Sequence, residues 1–132
     1  MSERNKAVVY RLVEEVMNAG RLDVLDVLYS PLMAAAARRW IVPFREAFPD
    51  VTMMVVDLVA EGDKVAARFI CSATQQGEWQ GQPASGARFE RVNEVYFFCF
   101  QDGRITRAWG LEDNLDRMRQ LGHLDHGPAR SW

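Results

Sequence analysis

Glu94 and Tyr96 stand two residues apart in the apolar run from Ala87 to Phe100. Strand alternation puts them on one face with Phe98 and Phe100, opposite Asn93, Val95, Phe97 and Cys99. A tyrosine hydroxyl and a protonated carboxylic acid are both good hydrogen-bond donors to a developing enolate. The other placement for Glu94 is outward, paired across strands with Arg68 or Arg107. Asp113 is the third candidate. A carboxyl in an apolar cavity has its charged form penalised, which lifts its pKa toward the working range for proton transfer. Asp113 also lies just where the last helix begins, a position at which aspartate is favoured as a cap.

Trp40, Phe44, Trp79, Phe89, Phe98 and Trp109 are the residues that could line a flat aromatic cavity, although most aromatics of a small domain are simply core. Met17 joins them as a candidate ligand contact, while Met17, Met53 and Met54 also suit adaptable packing. His123 and His126, with Asp125 between them, lack the third and fourth ligands that zinc requires, so no metal site is expected. The chain has no Gly-x-Ser-x-Gly, no phosphate-cradling glycine loop and no dinucleotide fingerprint. Nucleophilic catalysis and nucleotide binding are therefore poor hypotheses.

The elements that must position these residues follow from periodicity. Val9, Leu12, Val13, Val16 and Met17 form one helical stripe ended by Gly20. A short helix with Leu25, Leu28 and Tyr29 inward stops before Ser30-Pro31. Ala37, Trp40, Ile41, Phe44 and Phe48 again have helical spacing, and Pro43 within it either kinks that helix or opens a separate one. From Val51 the period changes to two. Strands are expected over Val51–Ala60, Lys64–Thr74, Ala87–Phe100 and Arg104–Trp109, with turns at Glu61-Gly62-Asp63 and Gln101-Asp102-Gly103. A loop rich in Gly and Pro spans Gly77–Gly86. Glu112–Leu121 closes as a helix ended by Gly122. Helices first and an antiparallel meander afterwards make an α+β layout.

The bulk properties agree with one domain, placed over residues 1–122, with a loose tail over 123–132. A chain of 132 residues can bury a substantial core. Its charge of −2 argues against a nucleic-acid partner. The apolar runs are too short to span a bilayer, and no secretory signal is visible, so a cytoplasmic location is expected. Cys71 and Cys99 read as free thiols.

Five segments from Asn5 to Gly122 give the chain its resemblance. They are Glu14–Gly20; Ala47-Phe48-Pro49-Asp50; Asp57–Val65; Gly77–Pro83; and Asp102-Gly103-Arg104-Ile105 followed by Trp109 and Asp113. In this order they resemble the SnoaL-like polyketide cyclases, within the superfamily shaped like nuclear transport factor two and ketosteroid isomerase. The resemblance implies a cone-shaped curved antiparallel sheet wrapped around the helices, a ligand cavity on its concave face, no metal or organic cofactor, and homodimers paired sheet to sheet. It also implies that Asp113, four residues after Trp109, is the general acid and base, and that Tyr96 donates to the substrate oxygen. The chain departs from the family in three places. The segment between Ser30-Pro31 and Phe44 is shorter and reads Leu32-Met33-Ala34-Ala35-Ala36-Ala37, where family members place a strand bearing a histidine or acid. Val13 stands where a tyrosine is common. Thr74-Gln75-Gln76-Gly77 replaces Thr-His-x-Gly.

Three functions follow as expectations. The first is intramolecular aldol-type closure of a small hydrophobic, polyketide-like ligand, with Asp113 as base and Glu94 and Tyr96 holding the enolate. The second is epoxide opening by two acids, Glu94 and Asp113, organised by Arg68 or Arg91. The third is a ligand-binding or dimerisation module without turnover.

Overall fold

The computed structural model describes residues 2–124. Helix α1 (Ser2–Arg11) continues without a break into a wider π-helical stretch, Leu12–Asn18. There Ala19 N–H reaches back five residues to the Glu14 carbonyl, at 3.1 Å. Such widened turns are uncommon and concentrate at functional sites. A 3-10 turn (Leu22–Val24) leads into the single-turn α2 (Leu25–Leu28). Helix α3 (Pro31–Ala47) begins with Pro31 in its first turn, where a missing N–H costs nothing. It then runs through Pro43 unbroken. Pro43 and Arg39, whose carbonyl loses its helical donor, both lie on the exposed side, so water can satisfy the orphan.

Four strands follow in an antiparallel meander: β1 (Thr52–Glu61), β2 (Lys64–Thr74), β3 (Arg88–Gln101) and β4 (Arg104–Glu112), hydrogen-bonded in the order β1-β2-β3-β4. The short helix α4 (Asn114–Gln120) is the last element among the described residues. At the β3–β4 turn Asp102 and Gly103 both have positive φ, 52° and 79°, the conformation that suits the strands' twist. Gly103 also makes room for Arg4, whose Nη2 donates to the Asp102 carbonyl at 3.2 Å and ties α1 to the hairpin.

Register shifts at Val55/Asp57, Cys71/Ala73 and Cys99/Phe100 interrupt all three ladders. Bulges of this kind bend strands and curve a sheet. The concave face packs on the helices around a core that includes Val16, Leu25, Ile41, Phe48, Val65 and Ile105. Side-chain and backbone hydrogen bonds stitch the layers together. Asn18 pairs with the Met53 backbone through both amide atoms, accepting at 2.7 Å and donating at 2.9 Å. The Asp50 carboxylate accepts from Thr74 N–H at 2.8 Å and from Arg88 at 3.1 Å. Ser30 N–H donates to the Ile105 carbonyl at 2.9 Å, which docks the helical layer on β4.

Most strand bounds and the end of the last helix fall within one residue of the sequence expectation, and two boundaries differ by more. Strand β4 runs on to Glu112 rather than stopping at Trp109, because Gly110, Leu111 and Glu112 keep pairing with Tyr96, Val95 and Glu94. The last helix accordingly starts at Asn114, not Glu112. None of the described helices is long and apolar enough to cross a membrane. The tail placed at 123–132 lies outside the described residues beyond Leu124, as do Asp125 and His126.

Candidate active site

A cavity of about 610 Å³ opens between α3, the π-helical stretch and the concave face of the sheet. Its walls are chiefly apolar. Met17, Trp40, Phe44, Trp79 and Phe98 all line it. So do Met33, Ala36 and Ala37, since the short segment after Pro31 forms the first turns of α3 rather than a strand. Trp40, Tyr96 and Phe98 are nearly parallel: Tyr96 lies 14° from Trp40 and 12° from Phe98, with centroids 6.1 and 5.7 Å apart.

Polar groups gather at one end of the cavity. Glu94 and Tyr96 both line it from β3, and the alternation read from the sequence is the one observed. Glu94 is only 1% exposed. The outward pairing with Arg68 does not occur, since Arg68 donates to Asp57 at 2.8 Å and to Asn93 at 3.1 Å. Glu112, at the end of β4, also lines the cavity. Its Oε2 accepts from the Tyr96 hydroxyl. Behind the two acids lies Arg117 of α4, fully buried. Its Nη2 donates to Glu94 Oε2 at 2.5 Å, and its Nη1 to Glu112 Oε1 at 2.9 Å and Asn114 Oδ1 at 2.5 Å. The guanidinium carbon sits 5.4 Å from the Phe44 ring centre and 4.9 Å from that of Phe89.

The electrostatics follow from this burial. Loss of water and the neighbouring Glu112 push the Glu94 carboxyl up to about 7, against the pull of Arg117. Burial and both glutamates push the Tyr96 phenol upward as well, so it stays a donor. Burial works against the Arg117 cation, but Glu94 and Glu112 outweigh it and its pKa is raised. One carboxyl that exchanges its proton near neutrality therefore faces an apolar cavity beside a phenol donor.

Gly110 makes the Tyr96 pose possible. It is the cross-strand partner of Tyr96 on β4, and a Cβ there would fall 2.1 Å from Tyr96 Cε1. The ring thus lies flat across the bare backbone of β4 and reaches Glu112, two residues further on.

Asp113 is placed differently from the other candidates. It is exposed, does not line the cavity, and its Oδ1 accepts from Asp116 N–H at 3.0 Å as the cap of α4. The extra residues of β4 are the reason: Glu112, not Asp113, ends the strand on the inward face. Trp109 is turned outward by the same alternation that brings Ala108, Gly110 and Glu112 inward. It is 58% exposed and packs on Phe97 across the convex face, 5.8 Å between centroids. Phe89 is buried against Phe48 and Arg117 and does not reach the cavity. Arg91 is exposed, in the left-handed region at φ 55°, with its N–H on Ser72 Oγ at 2.9 Å. Neither Arg68 nor Arg91 joins the acids.

Arg117 and Glu112 belong to this cluster although neither stands out as a candidate in the sequence. The available signal for Arg117 was its position four residues before the buried Leu121, on the inward face of α4. Gln75, standing where the resemblance implies histidine, organises the loop that carries Trp79. Its Nε2 donates to the carbonyls of Gly77, Gln82 and Pro83 at 3.0, 3.1 and 3.1 Å. Its Oε1 accepts from Ser85 Oγ at 3.3 Å and meets His123 Nε2 at 2.5 Å. His123 is thus engaged with Gln75, and among the described residues no group of His, Cys, Asp and Glu is arranged to hold a metal ion.

A curved antiparallel sheet closed on N-terminal helices, with acids at the end of an apolar cavity, defines the nuclear transport factor two-like class. The family profile for SnoaL-like polyketide cyclases matches residues 7–121, and the chain belongs to that family. No curated protein matches the chain. Among solved structures, TsrD from Streptomyces laurentii is 32% identical over 92% of this chain and 97% of its own, with a TM-score of 0.80. AclR from Streptomyces galilaeus, described as a candidate hydroxylase, is 26% identical over 95% of this chain and 100% of its own, TM-score 0.84. IdmH from Streptomyces antibioticus, described as a candidate polyketide cyclase, is 26% identical over 89% of this chain and 98% of its own, TM-score 0.75.

Proposed function

We propose that the protein is a cofactor-free cyclase or isomerase that moves a proton on a polyketide-like substrate held in its apolar cavity. The observation that carries this reading is the cavity's polar end, where the buried Glu94 stands beside Tyr96 and Glu112. The base role falls to Glu94 rather than Asp113. As a carboxylate, Glu94 takes the proton from a carbon flanked by two carbonyls, and the bonding pair moves into an enolate. The Tyr96 hydroxyl turns from Glu112, which keeps its bond to Arg117, to the enolate oxygen. The enolate carbon attacks a second carbonyl of the same molecule, and Glu94 returns its proton to the new alkoxide. No atom is gained or lost. Walls that fold the chain supply much of the acceleration by holding a near-attack geometry. Trp79 carries a buried indole N–H without an acceptor among the described residues, which a ligand carbonyl would satisfy.

The test is Glu94→Gln, with turnover of β-polyketone substrates read against ligand binding. Loss of turnover by a hundredfold or more with binding kept supports the reading. Unchanged turnover would refute it. If neither protein turns over any such substrate yet both bind, the non-catalytic module gains.

Epoxide opening is the second reading, and one observation favours it: a single arginine, Arg117, touches both acids. Here one glutamate would activate water against an epoxide carbon while the other protonates the departing oxygen. Oxygen from labelled water in a diol product would support it. An epoxide panel without turnover would remove it.

We also propose that two copies pair through the convex faces of their sheets. Phe97, Trp109, Leu111 and Val59 expose apolar surface there, 47%, 58%, 66% and 65% respectively. Trp109→Glu should yield monomers in light scattering, and a wild-type protein that is already monomeric would refute the pairing.

A further inference from the structure

We propose that Arg117 is the positioning residue of this site: buried behind Glu94 and Glu112, it holds both carboxyls side by side in an apolar wall and thereby sets how readily Glu94 gives up its proton. The inference rests on the acid/base reading of Glu94, but its test does not.

Three observations carry it. Arg117 is fully buried on α4 and is not part of the cavity wall, so it cannot touch a ligand, whereas Glu94, Glu112 and Asn114 all line the cavity. Its two Nη groups are divided between the acids, one on Glu94 at 2.5 Å and the other on Glu112 at 2.9 Å. A planar fork suits that division better than a point charge does. Finally, the guanidinium is wedged between the Phe44 and Phe89 rings, from α3 and β3, and so cannot follow either acid if it moves. Because Glu112 gives its oxygens to Arg117 and Tyr96, the oxygen of Glu94 that Arg117 does not hold is the one left for substrate.

The groups facing Glu94 from each neighbouring element are Glu112 of β4, Arg117 of α4, Cys71 of β2 and, on its own strand, Tyr96. Burial pushes the Cys71 thiol far up and the phenol likewise, so neither brings charge near neutral pH. Arg117 is therefore the single cation in the cluster. It opposes both the loss of water and the charge of Glu112, and without it Glu94 would hold its proton to higher pH.

The test replaces Arg117 with methionine, whose unbranched chain fits between the two rings, and with lysine, which keeps the charge. The Glu94 carboxyl is followed by carbon-13 NMR in the full-length protein labelled at glutamate carboxyls, assigned by Glu94→Gln. Stability is followed by urea unfolding from acid to neutral pH. Arg117→Met should move the Glu94 midpoint upward by about one pH unit or more, a tenfold change in the ratio of its protonated to ionised form. It should also be most stable in acid, where the carboxyls are neutral, and lose stability more steeply than wild type as pH rises. Arg117→Lys should reverse most of both effects. A midpoint and pH profile matching wild type in Arg117→Met would overturn the proposal, as would a protein unfolded equally at every pH. A lysine variant no better than methionine would overturn it too. Since these readouts need no substrate, active Glu94→Gln protein would sink the acid/base reading alone.

Discussion

Replacing Gly110 with alanine tests how the Tyr96 pose is built. The new Cβ would lie 2.1 Å from Tyr96 Cε1, 2.4 Å from Cδ1 and 2.8 Å from Cζ. Ordinary contact begins near 3.4 Å, so the ring must retreat by about 1.3 Å, the difference between 3.4 and 2.1. That movement takes the hydroxyl off Glu112, a bond to a charged acceptor that contributes about 1.5–3 kcal/mol. Crowding the Trp40–Tyr96–Phe98 stack adds about 1–3 kcal/mol. A destabilisation of roughly 2.5–6 kcal/mol is therefore expected for Gly110→Ala in urea unfolding. The backbone offers no reason for such a loss, because Gly110 is not among the positive-φ glycines. In a Tyr96→Ala background the same substitution should be neutral to within about 0.5 kcal/mol, since the ring it displaces is gone. The double-mutant cycle isolates the ring contact. Equal losses in the two backgrounds would show that Tyr96 does not lie across Gly110 and would refute the account of its pose.

Stability should depend on pH through Glu94. Its folded pKa, about 7, lies above the ordinary carboxyl value of 4.5, so its contribution is complete below 4.5 and is lost as pH rises through 7. Glu94→Gln should flatten that part of the profile measured by urea unfolding, and an unchanged slope would count against it. Asp113→Ala should cost about 0.5–2 kcal/mol of stability by removing the α4 cap while leaving turnover near wild type, as assayed on whichever substrate Glu94→Gln abolishes. Gln75→Ala should remove the side-chain donor of the Gly77 and Pro83 carbonyls and leave the Gln82 carbonyl with Trp79 N–H alone, costing about 2 kcal/mol or more, and should speed proteolysis within the 77–86 loop. Loop cleavage at the wild-type rate would contradict that role.

Much of the architecture is legible in the chain because it depends on local rules. The stripe from Val9 to Met17, the switch to a period of two after Val51 and the Asp102-Gly103 turn are each encoded within a few residues. They determine helices followed by an antiparallel meander, and the family motifs identify the relatives. Alternation along β3 likewise determines that Glu94 and Tyr96 share a face with Phe98. The ends of elements depend on partners. The sequence reading ends the last strand at Trp109, but the β3 ladder carries β4 three residues further. Those three residues decide the site: they bring Glu112 to the cavity, move Asp113 onto the cap of α4 and leave Trp109 on the convex face. Arg117 was hidden for a related reason. A charged residue on a short terminal helix is ordinarily solvated, and only the packing of α4 on β3 buries it between two rings and two carboxylates. The sequence by itself determined which face of each element is apolar, whereas the tertiary structure decided which charges are forced to share that face, because burial and mutual distance exist only once the layers meet.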